Sequence, residues 1–225
     1  MRFTSMSIRS VTLAAAMLAI GAAAHANLTI PTNALVANSV QAFSTEATDA
    51  FAAGGVNIAA LGNATNPSEG SYSFPITSIS IGSGLKIAGG QASGSALQLT
   101  RQAKGAGTVG VTIANFTINY NTKQVLADTT PLGGTTTKQA PLYNFNTATP
   151  LGIKYKFPLS ITAHEVLDQL TLTPEMNATM KSALKLTAAL AAALDSITTF
   201  GTLTQDILVA FRPKPVSAKA YVPAP

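Results

Sequence analysis

TVGVTIANFTINY, residues 108–120, is the longest alternating stretch of the chain and decides the fold. Apolar residues occupy odd positions from 109 to 113 and even positions from 116 to 120. Because successive side chains of a strand point to opposite faces, the apolar face changes at Ala114–Asn115. This change of phase predicts a β-bulge, or a strand that turns a corner between two sheets.

Shorter runs with the same period lie on both sides of this stretch. They are separated by clusters of Gly, Pro, Asn and Ser, as is typical of strands joined by turns. The predicted strands include residues 56–60, 72–76, 85–87, 97–99, 124–127, 142–145, 153–157 and 207–211. A short helix is predicted between them, with Ser44 as its N-cap and Gly54–Gly55 at its end.

The pattern changes to a helical period after Pro158. Thr162 and Glu165 match a capping box, which predicts that a helix begins there. Thr173–Pro174 predicts the start of a second helix, since proline suits the first helical position. From Met176 to Ile197 apolar residues recur every three or four positions, which predicts one amphipathic helix of about 24 residues.

These elements predict a mainly β protein. We expect an antiparallel β-sandwich or open barrel with a long amphipathic helix inserted before the last strand. The predicted organisation is a leader at 1–26, a single β-rich secreted domain at 27–212 and an extended Pro/Ala-rich tail at 213–225. The helical segment is placed at about 162–197.

Residues 1–26 match a cleavable secretory signal peptide. Arg2 and Arg9 precede an apolar run from Val11 to Ala24, which is too short to span a bilayer as a helix. Ala24 and Ala26 provide the small residues that a signal peptidase needs, so cleavage before Asn27 is predicted. The expected location is therefore secreted or periplasmic, without a stable transmembrane anchor after cleavage.

The composition excludes several classes of site. The chain has no cysteine, which removes thiolate metal sites, thiol catalysis and disulfides. It has no tryptophan and few charges, and its formal net charge of +5 includes two arginines of the leader. The remaining Lys and Arg residues are scattered, so we expect no nucleic-acid partner.

Three short motifs favour structural interpretations. Residues 105–110 spell G-x-G-x-x-G, but a polar run precedes them and a strand-like run follows, which favours a glycine turn. His164-Glu165 is followed by Asp168 where a zinc protease has its second histidine, so no metal site is predicted. Met176 and Met180 lie on an apolar helix stripe and are expected to fill the core.

Residues 56–128 resemble the β-rich HtaA-type domain of bacterial surface and secreted haem-uptake proteins. The resemblance lies in Phe74-Pro75, LKIAGG at 85–90, ALQL at 96–99, VTIANFTI at 111–118 and the run 122–128. It covers about a third of the chain. It implies an antiparallel β-sandwich that holds haem through a tyrosine supported by a histidine.

The haem ligands implied by the resemblance are not matched position by position. Gln91 and Ser93 stand where the family has its histidine, and Phe43 and Phe51 stand where it has its tyrosine. The candidates that remain for a bound ligand are Tyr72, Tyr120 and His164.

We expect an exported, non-catalytic protein that binds another protein or an apolar small ligand, with no catalytic residues and no resident cofactor. One alternative is the capture of haem or another small ligand by a diverged HtaA-like domain. The other is an enzyme of unknown chemistry. The oligomeric state is left open.

Overall fold

The stretch at residues 108–120 forms most of a long strand, β8 (Gly107–Asn119), in a computed structural model that describes residues 28–32, 36–81, 87–156 and 160–224. Strand β8 pairs with β7 (Ile87–Ala103) on one side and with β9 (Gln124–Pro131) on the other. Both pairings shift register at the predicted place, and Asn115 has φ of 55°. The predicted bulge is confirmed, and it explains how both parities of β8 become buried.

All the strands of the described residues belong to one antiparallel sheet. The order across the sheet is β1-β6-β7-β8-β9-β10-β11-β12-β2-β5-β4, and β3 pairs separately with β7. The remaining bounds are β1 (Leu28–Pro31), β2 (Val36–Ala42), β3 (Asn57–Gly62), β4 (Thr65–Ser68), β5 (Ser71–Pro75), β6 (Ser78–Ile81), β10 (Thr137–Lys156), β11 (Ser160–Leu172) and β12 (Thr202–Val209).

The sheet curls into a half-barrel because β5 and β6 connect its two ends. Only Ile76 and Thr77 separate these strands, although β5 pairs with β2 and β6 pairs with β7. The backbone N–H of Ile76 donates to Ala37 and that of Thr77 donates to Gln91, so the corner is bonded to both ends. The predicted class, mainly β and antiparallel, is confirmed.

The interior of the half-barrel contains two apolar clusters with a polar row between them. The smaller cluster includes Ala37, Ile207 and Ala163 on three neighbouring strands. The next inward-facing residues along these strands are Ser39, Gln205 and Glu165, which pair in register and are all buried. Beyond them the larger cluster begins, with Leu203 and Leu167 on β12 and β11. Burying a polar row costs stability unless its groups are hydrogen-bonded.

The predicted start of a helix at Thr162 is wrong, because residues 160–172 form β11. Thr162 and Glu165 therefore do not form a capping box. The side chains alternate along this strand, with His164 exposed and Glu165 buried, as a period of two requires. Strong local helix signals were overridden here by pairing with β10 and β12.

The predicted long helix is also wrong in its length. Two short helices replace it, α2 (Pro174–Ala183) and α3 (Ala188–Asp195). The start at Thr173–Pro174 is confirmed, but Thr187 caps a new helix by accepting from the backbone N–H of Leu190. The short helix near residue 50 is confirmed as α1 (Thr45–Ala53), with Ser44 as its N-cap.

The structure describes the C-terminal end of the chain to residue 224 but begins only at residue 28. The predicted leader, with its cleavage residues Ala24, Ala26 and Asn27, lies outside the described residues. At the other end, residues 213–224 form neither helix nor strand. Among the helices of the described part of the chain, none has the length and apolarity needed to cross a membrane.

Candidate ligand-binding groove

The outer face of four neighbouring strands carries a groove with a row of matched residues across it. Asn38 on β2 pairs with Asp206 on β12, and Asp206 pairs with His164 on β11. His164 in turn pairs with Gly152 on β10. Since paired residues of adjacent strands face the same way, register alone brings these residues to one line on the surface.

His164 and Asp206 form the polar centre of this groove. Nδ1 of His164 lies 2.7 Å from Oδ1 of Asp206, and both side chains are about half or more exposed. A histidine held in this way at Nδ1 keeps Nε2 as the ring nitrogen that is left to meet a ligand.

Gly152 opens the groove beside His164. A Cβ built at Gly152 would meet nothing within 4 Å, so the position next to the imidazole is empty of side-chain atoms. The groove has a volume of about 410 Å³, which falls within the range of small-molecule sites. The described residues that form its lining are Val36, Asn38, Gly152, Lys154, Thr162, Ala163, His164, Asp206, Ile207 and Leu208. Val36 and Leu208 supply its outward apolar side chains, since Ala163 and Ile207 face the interior.

Lys154 gives the groove an ammonium group without a matched carboxylate. It pairs with Thr162 one row away from His164 and is exposed. Among the residues that the structure describes, the ion pairs are His164–Asp206 and Lys181–Asp195, and neither includes Lys154. The groove therefore combines the apolar side chains of Val36 and Leu208 with a positive group near one side, a combination suited to an apolar molecule that carries an acid.

The inner face of the same strands holds a hydrogen-bonded carboxylate. Tyr120 donates its hydroxyl to Oε2 of Glu165 at 2.6 Å, and Nε2 of Gln205 donates to the same oxygen at 2.6 Å. Burial raises the pKa of Glu165, although the hydrogen bond from Tyr120 opposes the shift. Burial and the neighbouring carboxylate also raise the pKa of Tyr120.

A narrow slot runs beside this inner network. Gln41 donates to the hydroxyl of Tyr143 at 3.1 Å, and burial raises the pKa of Tyr143 to about 12. Ser39 also lines the slot, and its Oγ has no hydrogen-bond partner among the described residues. The cavity volume is only about 30 Å³, which is room for about one or two water molecules. The slot is therefore too small for an organic ligand unless the sheet opens.

The three candidate ligand residues do not share a site. Tyr72 is buried and donates to the carbonyl of Ile58, and Tyr120 is bonded to Glu165 inside the half-barrel. His164 faces the opposite side of β11 from Glu165. No described hydrogen bond joins any two of the three candidates.

Phe43 and Phe51, which stand where the HtaA-type family has its tyrosine, form part of the core. The rings of Phe43 and Phe51 pack edge to face with centroids 5.6 Å apart, and Phe43 packs in the same way on Tyr72. Gln91 is exposed on β7, and its backbone carbonyl accepts a hydrogen bond from the backbone N–H of Thr77.

Sequence reasoning missed Asp206, Lys154 and Gly152 as partners of His164. Asp206 is 42 positions away, and only the register of β11 with β12 brings it opposite His164. The available signal was the alternation in TQDILV at 204–209, where Asp206 lies on the polar parity of the last predicted strand.

Comparisons with known proteins give one structural similarity. No protein-family model matches the chain, and no curated protein matches it. The chain resembles the crystal structure of the C-terminal domain of HtaA from Corynebacterium glutamicum, at 13% sequence identity and a TM-score of 0.49. The similarity covers 77% of this chain and 98% of that domain.

Proposed function

We propose that this protein is an exported, non-catalytic binding protein that takes up a small apolar molecule with an acidic group. The observation that carries the proposal is the groove at His164, where the apolar side chains of Val36 and Leu208, the ammonium group of Lys154 and a fixed imidazole meet in about 410 Å³. Export is part of the proposal because of the leader at residues 1–26.

The proposed ligand lies along the groove with its apolar body on Val36 and Leu208. Its acidic group pairs with the ammonium group of Lys154. Burial of apolar surface supplies most of the affinity, and the polar groups fix the orientation.

Calorimetric titration of the purified protein with octanoate tests this proposal. We expect saturable binding to one site, and K154A should weaken it roughly fivefold, the factor given by about 1 kcal/mol for an exposed ion pair. K104A is the matched control, since Lys104 is exposed in the turn between β7 and β8. Absence of saturable binding, or equal loss in both variants, would contradict the proposal.

A second candidate ligand is haem, and a specific observation favours it. Histidines that bind metals usually donate their other ring N–H to a carboxylate, as His164 is placed to do with Asp206. His164 would hold the iron through Nε2, and Lys154 would pair with a propionate. Tyr120 is unsuited to this role, because its raised pKa disfavours the phenolate that binds ferric iron. A Soret shift on addition of haem that disappears in H164A would support this ligand, and an unchanged spectrum would exclude it.

A further inference from the structure

The C-terminal tail, residues 213–224, folds back onto the bulged corner of β7 and β8. The backbone N–H of Tyr221 donates to Oδ1 of Asn115 at 2.7 Å, and Nδ2 of Asn115 donates to the carbonyl of Tyr221 at 3.0 Å. Asn115 thus binds both polar groups of one tail residue. The same side chain also accepts from the backbone N–H of Gly94 and donates to Asp128, so its position is fixed by the corner itself.

Two glycines leave the space in which the tail lies. A Cβ at Gly94 would come within 2.8 Å of the carbonyl oxygen of Lys219, and one at Gly62 would come within 2.9 Å of the ring of Tyr221. Next to them, Nδ2 of Asn63 donates to the carbonyl of Ser217 at 2.8 Å. The corner formed by Asn63, Gly94 and Asn115 is therefore shaped to hold an extended backbone.

The tail buries little apolar surface in this position. Residues 217–220 are exposed, and the contacts that hold the segment are hydrogen bonds to its backbone. Such bonds contribute only about 0.5–1.5 kcal/mol each, since water competes for the same groups. The tail can consequently detach by local opening while the sheet remains folded.

Exposed large apolar side chains lie just before the tail begins and near where it ends. In the described part of the chain the exposed large hydrophobic residues are Val222, Phe211 and Leu132, at 80%, 62% and 51%. Val222 and Leu132 line the same surface groove of about 300 Å³. The docked tail therefore leaves the side chain of Val222 exposed beside Leu132.

We propose that the corner at Asn63, Gly94 and Asn115 is a docking site for an extended peptide, and that the tail of a second copy replaces the molecule's own tail there. The partner is a second copy because its residues 217–221 present the same backbone that the corner already binds. Pro213 and Pro215 keep the connecting segment extended, which allows it to reach a neighbour once released. Exchange of identical segments links copies without creating any new type of contact.

Disulfide trapping tests this exchange, because the natural chain has no cysteine. L132C and V222C are prepared separately, mixed at high concentration and oxidised, and the cross-linked dimer is measured on a non-reducing gel. Both side chains are exposed, so neither substitution disturbs the core. The double variant L132C/V222C, which links the tail within one molecule, shows that the two positions can form the bond.

We expect L132C mixed with V222C to give several-fold more mixed dimer than K104C mixed with V222C, since Lys104 is exposed but does not line the groove of Leu132 and Val222. Excess peptide SAKAYVPAP, residues 217–225, should compete with the tail and reduce the yield to the control value. Equal yields in the two mixtures, or no effect of the peptide, would overturn the proposal.

Discussion

The hydroxyl of Tyr120 lies 2.6 Å from Oε2 of Glu165 inside the half-barrel, and Gln205 shares the same carboxylate oxygen. Glu165 is 3% exposed, and no ion pair of the described residues includes it. The interior therefore contains a carboxylate that is satisfied by neutral donors alone. Its raised pKa is the expected consequence of burial without a cation.

E165Q should remove a pH dependence of stability. Because the pKa of Glu165 is raised in the folded state, the folded protein binds more protons than the unfolded protein between the ordinary value of 4.5 and the raised value. The free energy of unfolding of the natural protein therefore falls as the pH rises through this window. Urea unfolding at pH 5 and pH 7 should show a smaller fall in E165Q than in the control E69Q, whose side chain is exposed. If the free energy of unfolding fell equally in both variants, the pH dependence could not be assigned to Glu165.

Asn115 should contribute to stability through its amide and through its backbone conformation. N115G removes the hydrogen bonds but tolerates φ of 55°, whereas N115A keeps a Cβ in the left-handed region without the polar side chain that lets asparagine adopt it. We expect N115G to lose about 2 kcal/mol for hydrogen bonds in a buried setting, and N115A to lose about 1 kcal/mol more. Urea unfolding measures both, and a more stable N115A would show that the bulge geometry is not retained.

The break between α2 and α3 can be tested at Thr187. Because Thr187 is the N-cap of α3, T187A should lower the free energy of unfolding by about 1 kcal/mol. In the interior of one continuous helix the same change would be neutral or stabilising, since alanine is the better helix former. T179A is the control, because Thr179 lies within α2. Thermal unfolding that ranks T187A at or above T179A would support a single helix.

His164 and Asp206 should act as a unit in ligand binding. If Asp206 contributes by holding the imidazole, D206A weakens octanoate binding in the natural protein but has little further effect in H164A. A double-mutant cycle from four calorimetric titrations gives the coupling energy. Simple additivity of the two changes would mean that Asp206 does not act through His164.

The sequence predicts the β-rich class and the bulge at Asn115 because both follow from local alternation of apolar residues. It fails at residues 162–165, where capping residues predict a helix that strand pairing overrides, and so it misplaces Glu165. Periodicity also cannot detect the break at Thr187, since both short helices continue the same apolar stripe. His164 could be singled out as a rare residue, but Asp206 and Gly152 become its neighbours only through the register of three strands.

Gly152 allows the most direct test of the proposed groove. A valine at this position meets no atom within 4 Å of its Cβ and has a high preference for strands, so G152V should fold while filling the space beside His164. A148V, at an exposed position of the same strand, is the matched control.

The decisive measurement is the calorimetric titration of octanoate into the natural protein, G152V and A148V, with urea unfolding of each. We expect one-site binding to the natural protein and A148V, and loss of binding in G152V with an unchanged free energy of unfolding. Binding of octanoate to G152V as tightly as to the natural protein would contradict the assignment of the ligand site to the groove at His164.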